Sequence, residues 1–225
     1  MLAHRGSTER HRENTLEAFL EARRLGADGI ELDVRRSADG ALVVHHDAEL
    51  PDGRLLPEVA VADLPEHVPL LGEVLEACHG MVVNVEIKNA PGDPGYEPDQ
   101  AIAALVAAAV HDAGWTEGVI VSCFQADTLD AVRAADPSLP LGWLLGFAEE
   151  PGAAVDEAAR RGFQALHPFF SAVDDQLVAL AGAAGLALNV WTVNSRVDLR
   201  RMVGLGVDAL ITDNLPEALV VAHGS

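Results

Sequence analysis

Two cysteines, a single tyrosine and fifteen basic residues are few for a chain of 225. So few cysteines exclude a disulfide scaffold, and Cys78 and Cys123, each beside apolar residues, read as buried thiols. Against 15 Lys and Arg stand 35 Asp and Glu, a formal charge of -20. That balance lacks the clustered cations a nucleic-acid backbone demands and disfavours anionic membranes. No apolar run reaches the roughly 18 residues of a membrane span, and the longest, Ala101 to Val110, reads as one Ala-rich helix. No basic and then apolar leader is evident, so the expectation is a cytoplasmic protein without stable membrane insertion. A dinucleotide-binding doubly wound sheet is disfavoured because no Gly-x-Gly-x-x-Gly follows the first strand candidate.

What the chain does have is apolar material, 49% of its residues, enough for one large core. We read residues 1–225 as a single domain. Short apolar runs alternate with stretches whose apolar positions recur every three or four residues, the pattern of a parallel sheet with crossover helices. Nine strands are expected: 2–5, 29–35, 41–46, 81–88, 119–123, 141–145, 165–167, 188–193 and 209–212. Eight helices are expected between and after them: 15–25, 71–78, 99–113, 126–135, 153–161, 174–184, 198–204 and 216–223. Only Ser37-Ala38-Asp39-Gly40 separates the second and third strands. Four residues cannot make a parallel crossover, and Asp-Gly between apolar runs signals a hairpin. The remaining units make a (β/α)₈ TIM barrel, with an extra antiparallel hairpin strand after the second barrel strand and a short rim insertion at about 47–69.

Acidic residues inside apolar strands carry the chemistry, because a buried carboxylate needs a cation beside it. Glu31 and Asp33 flank Leu32, so the period of two puts both on one strand face. Asn84, Glu86 and Lys88 share a face in the same way. Glu31, Asp33 and Glu86 together form an all-oxygen set suited to Mg²⁺ or Ca²⁺ rather than zinc. His4 ends the first strand, and hairpin register places His46 roughly opposite Asp33, with His45 facing away. Two histidines at one rim can divide general base and general acid work. Arg5 and Lys88 add cations suited to gripping a phosphate. His167 ends a strand at the same rim and is a candidate for lining the pocket. Asp213 reads as a cap of the last helix. His11 reads as solvent exposed, and His67, His79, His111 and His223 receive no role.

The series His4-Arg5-Gly6, Glu13-Asn14-Thr15, Glu31-Leu32-Asp33-Val34, His46-Asp47, Val85-Glu86-Ile87-Lys88, Val190-Trp191-Thr192-Val193-Asn194 and Ile211-Thr212-Asp213 resembles the ordered motifs of the glycerophosphodiester phosphodiesterase family. The resemblance runs from the first strand to the last and implies a (β/α)₈ barrel. It implies His4 and His46 as catalytic acid and base, Glu31, Asp33 and Glu86 as ligands of a divalent metal, and Arg5 and Lys88 as phosphate-binding cations. Trp191 would wall the glycerol, and Asn14 would either fix the first loop or cap the helix at Thr15. The implied reaction releases glycerol 3-phosphate and an alcohol from a small-molecule diester. Where the family commonly continues His-Asp with Arg-Thr-Thr, this chain reads Ala48-Glu49-Leu50, which leaves the head group open. A lysophospholipase D-like activity on lipid-derived diesters, which would need an apolar groove leading from the rim, and a catalytically silent binding barrel are the alternatives.

Overall fold

The computed structural model describes residues 1–147 and 149–222. Nine strands lie in one sheet: β1 (Leu2–His4), β2 (Gly29–Arg36), β3 (Leu42–Val44), β4 (Val82–Ile87), β5 (Val119–Cys123), β6 (Leu141–Leu144), β7 (Ala165–His167), β8 (Ala187–Val190) and β9 (Ala209–Thr212). All but β3 run parallel, and β1 pairs with both β2 and β9, which closes eight strands into a barrel. Eight α-helices accompany them among the described residues: α1 (Leu16–Leu25), α2 (Leu71–Ala77), α3 (Ala101–Asp112), α4 (Ala126–Ala135), α5 (Pro151–Arg161), α6 (Asp175–Ala184), α7 (Arg196–Leu205) and α8 (Leu215–Ala222). The expected end of the last helix at His223 lies outside the described residues. No described helix is long and apolar enough to cross a membrane.

The hairpin strand exists because β2 is longer than β1. β1 pairs with Gly29, Ile30 and Glu31 only. Val34, Arg35 and Arg36 on that same edge would have unpaired backbone groups, and β3 pairs with them antiparallel through Val44, Val43 and Leu42. The turn is the expected one, with Gly40 at φ 85° in the left-handed region. The register differs by one residue from the sequence expectation. His45, not His46, lies across from Asp33, its N–H donating to the Asp33 carbonyl at 3.0 Å. The sheet ends at Val44, so His46 is placed by a loop rather than by strand alternation.

Alternation along β2 and β4 divides apolar from polar as read from the sequence. Ile30, Leu32, Val34, Val83, Val85 and Ile87 join the apolar core, while Glu31, Asp33, Asn84 and Glu86 are buried on the other face. Val43, Leu50, Leu56 and Val59 make a small second core beneath the rim insertion. Cys78 and Cys123 are both free and buried, as expected, and burial pushes each thiol up to about 11.

His167, a candidate for the pocket wall, serves the core instead. It is fully buried and does not line the cavity above it. Its Nε2 lies 2.9 Å from Asn189 Nδ2, and it fills space left by Gly142, where an added Cβ would sit 2.2 Å from that nitrogen. Burial alone pulls its pKa down to about 3, so the ring is neutral in the folded protein. An unfolded histidine takes up a proton near pH 6.5, so the stability contributed by the neutral ring is present above that pH and lost as pH falls towards 3. The stability gap between the native chain and His167→Asn is expected to shrink by about 2 kcal/mol between pH 7 and pH 5. Urea unfolding at the two pH values checks this, and a gap independent of pH would contradict it.

Candidate active site

Every chemical group picked from the sequence reaches the C-terminal end of the barrel strands, where such folds build their sites. His4, Arg5, Glu31, His46, Glu86, Lys88 and Trp191 line one cavity of about 190 Å³. Asp33, fully buried, is tied to that lining through Arg5 and Lys88. The loop that leaves β1 is tightly constrained. Arg5 and Asn14 both take left-handed φ angles, 55° and 56°, and are tied by an Asn14 N–H to Arg5 carbonyl bond of 2.9 Å. Between them Gly6, at φ 88°, presses on α1 so closely that a Cβ would lie 2.7 Å from that of Ala18.

Of the two readings of Asn14 from the sequence, the helix cap is wrong and hydrogen bonding from the loop is right. Thr15 caps α1, its hydroxyl accepting from the Ala18 N–H at 3.3 Å. That leaves the Asn14 amide free to donate to Asp33 Oδ2 at 2.8 Å and to accept from the Asp33 N–H at 3.3 Å.

Glu31, Asp33 and Glu86 each offer an oxygen within 4.8 Å of the others. Register explains it, because Asp33 pairs with Glu86 and Glu31 with Asn84 across neighbouring parallel strands. Two cations hold the cluster. Lys88 Nζ pairs with Asp33 Oδ1 at 2.9 Å and with Glu86 Oε1. Arg5 Nε lies 3.2 Å from Asp33 Oδ2, while its Nη1 donates to Glu13. Burial pushes the Glu31 carboxyl up to about 8, helped by the charge of Asp33 and opposed by His4. Burial also works against Asp33, but Lys88 and Arg5 outweigh it and hold that carboxyl well below the usual range. Glu86 is raised, burial exceeding the opposing pull of Lys88. Lys88 itself, despite burial, is held charged by Glu86 and Asp33.

This set fits a hard divalent cation. Glu31 Oε1 is buried with no hydrogen-bond partner, an expensive state for a carboxylate oxygen unless something positive meets it. Three carboxylates without a sulfur or imidazole ligand match Mg²⁺ or Ca²⁺ donor preferences.

Each histidine has a carboxylate on Nδ1. His4 Nδ1 lies 2.6 Å from Asp213 Oδ1, and His46 Nδ1 lies 2.7 Å from Asp47 Oδ1. Burial lowers the His4 pKa, but Glu31 and the Asp213 hydrogen bond outweigh it and raise it overall. Asp213, expected as a helix cap, is thus spent on His4, and Asn194 holds it by a 2.7 Å bond to Oδ2 and by accepting its N–H at 2.9 Å. Sequence reasoning missed this pairing because the residues are 209 positions apart and meet only through barrel closure. It also missed Arg35, which shares the face of Glu31 and Asp33 and donates through Nε to the His46 carbonyl at 2.7 Å. The period of two could have found it.

The chain matches the Glycerophosphoryl diester phosphodiesterase family over residues 4–217. It belongs to that family. A glycerophosphodiester phosphodiesterase of Caldanaerobacter subterraneus subsp. tengcongensis is 35% identical over 98% of this chain and 96% of that protein. The glycerophosphodiester phosphodiesterase structure from Thermotoga maritima superposes with a TM-score of 0.82 at 28% identity, covering 97% of this chain and 96% of that one. An Oleispira antarctica phosphodiesterase, solved in complex with the product sn-glycerol-3-phosphate, gives 0.87 at 26% identity over 100% of this chain and 96% of that one. The chain is therefore a phosphoric diester hydrolase of the glycerophosphodiester type.

Lys88 is the main compensation for two of the three buried carboxylates. Lys88→Met, which keeps the length and removes the charge, is expected to destabilise the metal-free protein by about 3 kcal/mol at pH 7. Chemical denaturation measures this, and a loss below about 1 kcal/mol would show that the cluster is held some other way.

Proposed function

We propose that this enzyme hydrolyses glycerophosphodiesters to glycerol 3-phosphate and an alcohol such as choline or ethanolamine, using a divalent cation and two histidines. The observation that carries the reading is the convergence of His4, His46, Arg5, Lys88, Glu31 and Glu86 on one small cavity, with Asp33 completing the acid cluster. Glu31, Asp33 and Glu86 would hold Mg²⁺ or Ca²⁺, whose chemistry is to neutralise charge building on the phosphate's non-bridging oxygens. Arg5 and Lys88, at the edge of the acid cluster, are the side chains that grip the same phosphate. Trp191 walls the glycerol.

The two histidines work through Nε2, since Asp213 and Asp47 occupy Nδ1 of each and fix ring orientation. One Nε2 takes the proton of the attacking hydroxyl as its oxygen bonds to phosphorus. The other gives its proton to the departing alcohol oxygen as that P–O bond breaks. The attacking hydroxyl is either water or the 2-hydroxyl of the glycerol itself, in which case water opens the resulting cyclic phosphate. A catalytically silent barrel is disfavoured because no member of this set is missing.

Release of glycerol 3-phosphate from glycerophosphocholine is expected to stop with EDTA and to return with Mg²⁺ or Ca²⁺. His46→Ala and Glu86→Gln should each cost at least about a hundredfold in kcat. Asp213→Asn should cost about ten- to a hundredfold and act on kcat rather than KM, since it loosens His4 and not the substrate. Full turnover in EDTA would overturn the metal assignment, and an active His46→Ala would overturn the acid/base pair.

A further inference from the structure

The loop after β1 and the rim insertion frame a second space beside the catalytic cavity. This groove of about 860 Å³ shares His46 with that cavity, and its other charged or titratable lining residues are Arg12, Glu13, His45, Asp47, Glu49 and His67. Arg12 is the one permanent cation in that lining. Its setting differs from that of the neighbouring arginines. Arg5, Arg35 and Arg54 each pair with a carboxylate, whereas Arg12 makes no ion pair among the described residues and rests on an imidazole, its Nη1 lying 2.9 Å from His67 Nε2.

That partner leaves the charge of Arg12 unspent. A guanidinium has donors only, so His67 Nε2 accepts and the ring proton sits on Nδ1. Burial, then Arg12 and His45, lower the His67 pKa, so at neutral pH the ring orients the guanidinium without cancelling it. The backbone of Arg12 is fixed as well, its carbonyl accepting from the Thr15 hydroxyl at 2.8 Å at the cap of α1. His45 is oriented by its Nδ1, which donates to the Asp47 carbonyl at 2.8 Å. Two of the three acids in the lining are already taken, Glu13 by Arg5 and Asp47 by His46. The third, Glu49, turns its Oε1 towards Gly53 in the insertion, 3.9 Å from where a Cβ there would sit. In a chain with 35 acidic residues, an arginine that is positioned but left without a carboxylate is complete only when an anion from outside meets it.

We infer that Arg12, held by His67, is a subsite for an anionic group on the departing alcohol, so that the enzyme favours glycerophosphodiesters whose head group carries a carboxylate or a phosphate. The inference rests on the phosphodiesterase reading above. With Trp191 walling the glycerol, the departing alcohol lies towards His46, and the groove that opens from His46 is where the rest of the head group goes. The bond cleaved is the same for every head group, and Arg12 acts on binding rather than on the chemical step. A protein charge of -20 repels such a substrate at long range. A preference for it therefore has to come from a cation inside the groove, where Arg12 presents a planar fork matched to carboxylate and phosphate oxygens.

The test compares kcat/KM for diesters of glycerol 3-phosphate that differ only in the departing alcohol: propanol, choline, 3-hydroxypropionate and 3-hydroxypropyl phosphate. An anionic ester is expected to exceed the propyl ester by about fivefold, the larger of the two anionic gains identifying the anion, and the choline ester is expected to gain nothing. Arg12→Gln should bring the ratio of anionic to propyl ester to about one, mainly through KM, and Arg12→Lys should keep part of it. His67→Leu, which removes the acceptor and leaves the guanidinium, should cut the ratio about twofold. Arg12 is exposed, so its variants should fold normally. Equal turnover of all the esters, a preference for choline, or an anionic gain that survives Arg12→Gln overturns the inference alone. No turnover of any ester overturns the phosphodiesterase reading as well.

Discussion

Three carboxylates buried within 4.8 Å of one another at the mouth of a barrel are the constraint around which this end of the molecule is organised. Each would gain from water, and the fold denies it to them. Lys88 reaches across two of them, Arg5 braces Asp33 from the first loop, and Asn14 accepts a left-handed backbone to hydrogen-bond the same carboxyl. Even so, one oxygen of Glu31 has no hydrogen-bond partner. The molecule holds its acids in place without fully compensating them, an arrangement that could take a divalent cation.

The rest of the functional end follows from that arrangement. β2 has to extend past β1 to present Asp33, and the overhang is paired by β3, whose far end leads into the loop carrying His46. Barrel closure brings β9 beside β1 and thereby sets Asp213 on His4. The two histidines thus arrive by different routes, one from a strand end and one from a loop, yet each has a carboxylate on the same ring nitrogen. The charged half of the rim faces an aromatic half built from single residues in four separate loops, which gives the site a polar direction and an apolar one.

Much of this was legible in the sequence, and what was not has identifiable physical reasons. Glu31, Asp33 and Glu86 stand out because a two-residue period in apolar strands forces them to one face, and Asp39-Gly40 fixes the hairpin. The position of His46 was less secure, because counting along a strand fails once the strand ends at Val44. Asp213 resembles a helix cap locally, and only a contact between chain ends reveals its use. His167 looks like a rim residue because it closes a strand, but its ring is enclosed, packed against Gly142 and paired with Asn189. The rings of Phe124, Trp191, Phe169 and Phe147 meet in series, but they lie on four different βα connections with no periodicity and become one surface only in three dimensions.

We propose that the three acids form a preformed cation site in which Glu31 is the ligand without a partner. Thermal unfolding of the purified protein with and without Mn²⁺, beside the Glu31→Gln variant, tests it most directly. A hundredfold excess of Mn²⁺ over its Kd should raise the Tm of the native chain by about 5 °C or more. Glu31→Gln should unfold no earlier than the native chain without metal and should show little or no response to it. No shift in the native chain, or an equal shift in the variant, would contradict the account.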